Sequence, residues 1–410
     1  MSRPTTTLHR FAWQAGSLAV GRGAALVSLL MAARALELDR YGRFVVLLAL
    51  LEAAMIPWKP TVQQGAAVRL GRGGGQLGWA AATARWWLIG SAVLAPIAWW
   101  FDGIESAGLF LAASAASAVM FLSVPGLLLE GRQRRIALGT MAAQCTRLAA
   151  TIALIAAGSL TPRTALAAVA VGSVVGAVGM WAPHPVRKGP TGWLMPEVGA
   201  EGLRWIEQNV PILVVALVLG LSQAGGFDLL LKLVQGIAEV LAGIGIVMLP
   251  AFVRGAERPS DVLARSLRLP TLLAVALAIA GAFLLGPFLE AATANDLAFG
   301  AAPALLGIML VVAPWTGLSR SALISLGASR WLLPSQVATS LTTAAASLLA
   351  VGGLVWAALA VGLAHLVGAA VLWVGLRSCG ELPAAGAVFS VSGLRSDLRW
   401  LGAVVRRTEG

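Results

Sequence analysis

The sequence predicts an all-α polytopic membrane protein with about twelve transmembrane helices in two halves of six. Three observations predict it. Of the 410 residues, 58% are hydrophobic and only 12% charged, and mean hydropathy is +0.84, whereas a soluble domain carries about 25% charged residues. Apolar runs of about 20 residues, the length that crosses a bilayer as a helix, recur along the whole chain. The 30 Lys and Arg stand singly between those runs and concentrate in alternate intervals. The net charge of +12 therefore reads as the positive-inside pattern of a membrane protein, and no nucleic-acid partner is expected. The 47 glycines suit close helix packing in lipid.

Taken in order, a short basic arm over 1–10 precedes an apolar run over 11–35. The triplet Ala33-Arg34-Ala35 has the form of a signal-peptide cleavage site, but Arg22 interrupts the run and its length suffices to span, so it is read as the first retained helix. Five more runs follow at 44–63, 80–100, 107–129, 136–158 and 164–182. The proline-bearing stretch 184–204 is the most polar internal segment and reads as a cytoplasmic linker after an N-terminal lobe, 1–183. The second lobe, 205–376, holds runs at 205–221, 227–252, 269–289, 297–318, 332–352 and 354–376. A tail over 377–410 places Leu394, Leu398, Leu401 and Val405 on one helical face and Arg395, Arg399 and Arg406 on another, as an interfacial helix on anionic lipid would; a disordered tail is the other reading.

Both termini are expected in the cytoplasm of a multi-pass protein of the cell membrane, because the segments on the other side carry only Arg34, Arg40, Arg43 and Arg163 among the basic residues. Those outer segments are too short to house an enzyme domain. Cys145, within an apolar run, and Cys379, just after one, make no disulfide framework, and His9, His184 and His365 have no metal-ligand spacing. No cofactor, metal or catalytic group is expected.

Charge inside the spans is the informative part. On a helix over 225–254, Asp228, Lys232, Gln235 and Glu239 fall within an arc of roughly 60°. An ionised side chain at the bilayer centre costs roughly 2.5–3.5 kcal/mol even on the mildest scale, so the seam should face protein or a water-filled cavity. Glu52, Lys59 and Gln63 fall within about 40° on the second span. Arg22 lies in the first span, and Arg147 in the fifth on a face with Thr140, Gln144 and Thr151. Laying Tyr41-Gly42-Arg43-Phe44 over Ala224-Gly225-Gly226-Phe227 makes spans two and eight equivalent, as a parallel internal repeat would. The bland alternative is that all these charges are static ion pairs that serve packing.

Residues 33–55, with Ala33-Arg34-Ala35-Leu36 and Tyr41-Gly42-Arg43-Phe44, the stretch from Gly225 to Pro250, and the turn Gly327-Ala328-Ser329-Arg330 resemble the lipid-linked oligosaccharide flippases, a polysaccharide-export branch of the multidrug and toxin extrusion (MATE-like, MOP) superfamily. The resemblance implies two six-helix lobes around a central cavity lined by spans one, two, seven and eight, working by alternating access as a monomer. The family's usual Asp or Asn at the start of span seven is met only by Glu207 or Asn209, and Phe227 stands where Tyr is common. The implied function is flipping of a polyprenyl-diphosphate-linked oligosaccharide for surface polysaccharide biosynthesis. Arg22, Lys59, Arg147 and Lys232 would supply cations for its diphosphate, Glu52, Asp228 and Glu239 would balance them or couple transport to H+ or Na+, and Gln63 and Gln235 would add polar contacts.

Two other functions stand beside it. A drug or cation exporter of the same superfamily would bind through the acids, and a membrane glycosyltransferase or polymerase would need a large loop that this chain lacks. The run Gly71-Arg72-Gly73-Gly74-Gly75 has neither the Lys-Ser/Thr nor the preceding strand of a phosphate loop and reads as a turn. Trp79, Trp86, Trp87, Trp99 and Trp100 bracket span three as interfacial anchors.

Overall fold

A computed structural model describes residues 4–58, 62–63, 66, 76–130, 132–181, 195–246, 259–293, 299–326, 328–383, 388 and 393. Every regular element among them is helical: α1 (Pro4–Ala35), α2 (Glu37–Ala54), α3 (Gln76–Asp102), α4 (Ile104–Leu122), the short α5 (Val124–Leu129), α6 (Gln133–Ala156), α7 (Pro162–Met180), α8 (Met195–Val218), α9 (Leu221–Ile246), α10 (Pro259–Thr293), α11 (Ala302–Ser325), α12 (Leu332–Ser347) and α13 (Leu354–Ser378). All but α5 are long, which gives the twelve helices expected. Among the described residues, six stretches can cross a membrane by length and composition: Ile104–Leu128, Arg134–Ala156, Pro162–Met180, Ser260–Thr293, Ala302–Arg320 and Leu354–Ser378. Large apolar side chains stand on the outside, among them Trp100 at 84%, Val178 at 73% and Phe283 at 74% exposure, a surface that water would not tolerate over this extent.

Several boundaries differ from the sequence reading, and those around the polar seams matter most. The second span, expected over 44–63, is a helix only to Ala54 and then a 3-10 turn over Ile56–Trp58, because Pro57 has no N–H to donate and its ring collides with the carbonyl one turn back. The 100° phase therefore does not carry from Glu52 to Gln63. α8 starts at Met195, ahead of the expected 205, with Pro196 at its second position, where a missing N–H costs nothing. α9 starts at Leu221, so Gly225 and Phe227 lie in its second turn rather than at its entrance. The turn after α1 is a bend at Leu36, and Tyr41 and Gly42 already belong to α2. The C-terminal amphipathic segment, the glycine-rich run 71–75 and most of the linker lie outside the described residues.

The contacts divide the chain into two compact units, Arg10–Leu229 with Glu290–Asp296, and Met1–His9 with Leu230–Leu289 and Leu297–Gly410. In the first, α2 is buried on nearly all sides, from Tyr41 and Gly42 through Phe44 to Leu51 and Ala54. α6 and α7 cross on small residues: a Cβ on Gly172 would lie 2.5 Å from Ala143 O, and one on Gly176 would lie 2.9 Å from Ala143 Cβ. Their crossing closes a core of Met120, Val124, Leu127, Ala143, Ala177 and Met180. Thr161 starts α7 with a capping box, accepting from the N–H of Thr164 while the Thr164 hydroxyl accepts from the N–H of Thr161.

In the second unit α10, α11 and α13 share a core of Leu263, Leu267, Leu318, Ala322, Leu323, Leu372 and Leu376, which Val388 joins. α12 turns a buried hydroxyl stripe inward, Ser335, Thr339, Ser340, Thr343 and Ser347. Ser335 Oγ donates to Gly368 O on α13 at 2.8 Å, and the hydroxyls of Thr339, Thr343 and Ser347 donate to carbonyls one turn back, so the stripe is satisfied without water. The Ser260 N–H, in the first turn of α10, donates to Glu381 Oε2 at 2.9 Å, an end cap supplied from beyond α13. His365 Nδ1 lies 2.9 Å from Val361 O, the arrangement of a packed histidine.

Candidate functional site

The polar residues of the first unit gather around α2. Where α2 crosses the first turns of α9, Gly42 faces the backbone of Leu221 so closely that a Cβ would lie 1.9 Å from its carbonyl oxygen. From the other side, a Cβ on Gly225 would lie 3.0 Å from Tyr41 Cδ1 and 3.1 Å from Leu38 O. The two glycine-aromatic motifs aligned as a repeat thus pack against one another. That approach delivers the Tyr41 hydroxyl to Asp228, where it donates to Oδ2 at 3.3 Å. Tyr41, Phe227 and Asp228 are 0%, 0% and 1% exposed, so this carboxylate sits in a dry setting with a phenol as its partner.

Arg147 comes to the same place from α6. Its guanidinium carbon stands 5.9 Å from the centroid of the Phe44 ring, within cation–π range, and the Phe44 ring lies 6.1 Å from that of Tyr41. Tyr41, Glu52 and Asp228 all lie within electrostatic reach of the guanidinium. Gly172 of α7 makes room for it, since a Cβ there would lie 3.3 Å from Arg147 Cβ. One turn on, Thr151 Oγ1 donates to Arg147 O at 2.9 Å and pairs with Ser28 Oγ at 3.0 Å, which ties α1 to this face of α6. One turn back, the Gln144 side-chain oxygen is buried and accepts from no donor among the described residues, so it can receive a ligand hydroxyl or water.

α8 completes the group from the other end of α2. Trp205 Nε1 donates to Ala49 O at 3.0 Å, and Asn209 Nδ2, shared with Trp205 O, approaches Glu52 Oε2 at 3.4 Å. Glu52 is thereby oriented by a neutral amide while Arg147 supplies the positive field. One cation, two acids, a phenol, an amide and an aromatic face form a polar cluster of opposed charges near the middle of the candidate span Arg134–Ala156, where unpaired charge is costly.

Of the predicted site residues, this cluster unites Arg147, Glu52 and Asp228. Lys232 lies one helical turn beyond Asp228 on α9 and is half-buried, as is Gln235. Arg22 is exposed on α1. Gln63 is buried, with its amide donating to Trp58 O, a local cap. Lys59 and the side chain of Glu239 lie outside the described residues. Tyr41 and Phe44 were seen in the sequence only as a repeat signal, Asn209 only as a departure from a family pattern, and Trp205 not at all. The signal in the sequence is that Tyr41 is the only tyrosine in the chain and stands next to Gly42 on a membrane helix.

Twelve long helices and an internal polar cluster define an all-α polytopic membrane protein. Comparison narrows this. No protein-family model matches the chain, and no curated protein matches it. Among solved structures it is similar to one described as lipid II flippase MurJ in an inward closed conformation, with a TM-score of 0.68 at 13% identity over 92% of this chain and 90% of that one. It is also similar to a multidrug resistance MATE family transporter of the MOP superfamily, facing inward (TM-score 0.55, 15% identity, 91% of this chain and 96% of that one) and outward (0.54, 13%, 90% and 95%). At these identities the likeness is one of fold: the chain has the fold of the structures described as MurJ and as a MATE family transporter.

Proposed function

We propose that the protein is a membrane transporter, not an enzyme, that flips a polyprenyl-diphosphate-linked oligosaccharide across the cytoplasmic membrane by alternating access. The observation that carries this reading is Arg147, a guanidinium near the middle of a candidate span, laid against Phe44 with Glu52 and Asp228 in reach. A diphosphate brings about two negative charges to membrane depth, and a guanidinium fork can hold two of its oxygens at once. Glu52 and Asp228 balance Arg147 when no substrate is bound. As a diphosphate takes over the guanidinium, the acids are released to take up a coupling ion, H+ or Na+. Lys232, one turn from Asp228, extends the positive track, with Arg22 and Lys59 as further cations. The fold shared with a lipid II flippase supports a lipid-linked substrate, and the absence of long outer segments in the sequence supports transport over glycan synthesis.

The test compares glycan reaching the outer surface per inserted molecule, in a strain lacking its own copy. Arg147→Ala is expected to lower export at least about tenfold, from a lost charge-assisted contact of about 1.5–3 kcal/mol, with Arg147→Lys intermediate because an ammonium cannot span two oxygens. Lys232→Ala and Arg22→Ala should also reduce export, and Asp228→Asn less so. Wild-type export by Arg147→Ala, together with complete loss on Glu52→Gln, would overturn this reading in favour of an ion-coupled cation or drug exporter.

A further inference from the structure

We propose that the cavity at the paired ends of α6 and α7 is a site for an anionic phospholipid, which binds by its headgroup phosphate and lays a chain between the two helices. The cavity measures about 470 Å³ and is lined by Arg132, Arg134 and Arg135 at its rim and by Leu138, Ala142 and Gly179 below. It is separate from the Arg147 cluster and from the substrate reading.

Charge argues for an anion. Of the residues that line it, three are arginines and none is acidic, and the Glu130 carboxylate pairs with Arg132 at 2.8 Å. Arg135 is a fixed part of the wall: its Nε donates to Gly179 O at 3.1 Å and its Nη2 to Trp181 O, so it closes the carbonyl end of α7 onto α6. The N-terminus of α6 begins beside Arg132 and Arg134 at Gln133 and adds a partial positive charge. Arg132 and Arg134 are exposed, able to reach a headgroup that arrives from the membrane surface.

Shape and position argue for a lipid rather than a free anion. Below the arginines the lining changes to small and apolar side chains within two turns. Gly139 keeps the wall thin, since a Cβ there would lie 2.4 Å from Met180 Cγ. The cavity stands where two candidate membrane spans, Arg134–Ala156 and Pro162–Met180, begin and end side by side. The distribution of Lys and Arg predicts this to be the cytoplasmic end, where anionic lipid is met and where basic pockets between membrane helices recognise phosphate headgroups.

The experiment is native mass spectrometry of the full chain in detergent, titrated with phosphatidylglycerol and with phosphatidylcholine of the same acyl chains. Phosphatidylglycerol adducts are expected at about tenfold lower lipid concentration, and the preference should vanish in Arg132→Gln/Arg134→Gln. Ala142→Trp, which leaves every arginine in place and fills the apolar floor, should weaken phosphatidylglycerol binding by a similar factor, and inorganic phosphate should not displace the lipid. Equal retention of the two lipids, an unchanged preference in the double arginine variant, or displacement by inorganic phosphate would each overturn the proposal. So would preferential retention of a polyprenyl diphosphate that the double variant abolishes, because the cavity would then be a substrate dock. Glycan export plays no part in this readout, so its outcome is independent of the transport reading.

Discussion

Gly42→Ala is the most demanding single test of the arrangement around α2. A methyl group at this position would start 1.9 Å from Leu221 O, and reaching even the 3.0 Å that Cβ atoms tolerate requires the α2 and α9 backbones to part by about 1.1 Å. Neither neighbour is a flexible side-chain tip. Overpacking in a tight interior costs about 1–3 kcal/mol and more where backbone must move, against at most about 1 kcal/mol gained from replacing a helical glycine by alanine. Gly42→Ala should therefore destabilise by several kcal/mol. Gly225→Ala, whose Cβ meets its neighbours at 3.0–3.3 Å, should cost about 1–2 kcal/mol. Gly23→Ala on α1 has nothing within 4 Å and should be neutral or slightly stabilising. The assay is the midpoint temperature for loss of the monodisperse peak when the full chain is heated in detergent. A Gly42→Ala midpoint equal to that of Gly23→Ala would refute the close crossing, and with it the route by which Tyr41 reaches Asp228.

Tyr41→Phe removes the donor to Asp228 and leaves ring packing unchanged; it should cost about 1 kcal/mol, since the bond is long at 3.3 Å, and an unaltered melting midpoint would show that the hydroxyl contributes nothing. Thr161→Ala deletes the half of the α7 capping box in which the Thr161 hydroxyl accepts from the Thr164 N–H and should cost about 1 kcal/mol, whereas Thr161→Ser should be near neutral. For orientation, a chain with Cys145 and Cys379 replaced and Ser159→Cys added should react with an impermeant thiol reagent from outside the cell, and Glu130→Cys only after permeabilisation; the reverse pattern would invert the predicted topology.

What the sequence made legible follows from which forces act along one helix. Apolar runs locate the helices because span length is a property of the membrane, and the charges at Glu52, Arg147 and Asp228 stood out because membrane helices tolerate so few. The helical wheel served less well. On α9, Leu229, Leu230 and Leu231 stand outside the polar arc of Asp228, yet all three are fully buried together with it, since a wheel sorts two faces and this turn has protein on every side. On α2 the phase from Glu52 to Gln63 failed at Pro57, a local break that a single-residue rule could have announced. Arg147 over Phe44 and Trp205 on Ala49 O depend on how helices rotate against each other, which no one-dimensional period encodes.

The repeat alignment, which makes spans two and eight equivalent, gains physical content from the crossing of α2 and α9. With Tyr41 laid over Ala224, Gly42 falls on Gly225 and Phe44 on Phe227, and the two equivalent glycines meet, a Cβ on Gly225 lying 3.3 Å from Gly42 N. A contact between equivalent surfaces is what a pseudo-two-fold axis produces, and small residues at its centre are what bring two backbones together. The charges do not obey that symmetry. Carried through the same register, Glu52 falls on Gln235, so one polar position is kept, but Asp228 falls on Val45 and Lys232 on Ala49. Ala49 is also the residue whose carbonyl receives Trp205, and Tyr41, whose hydroxyl reaches Asp228, has only Ala224 as its counterpart. The backbone crossing supplies a close, nearly symmetric platform, and the side chains that carry charge break the symmetry. A platform of this kind presents its acid at one end and aims its phenol at it, a polarity along α2 that a symmetric crossing would not have.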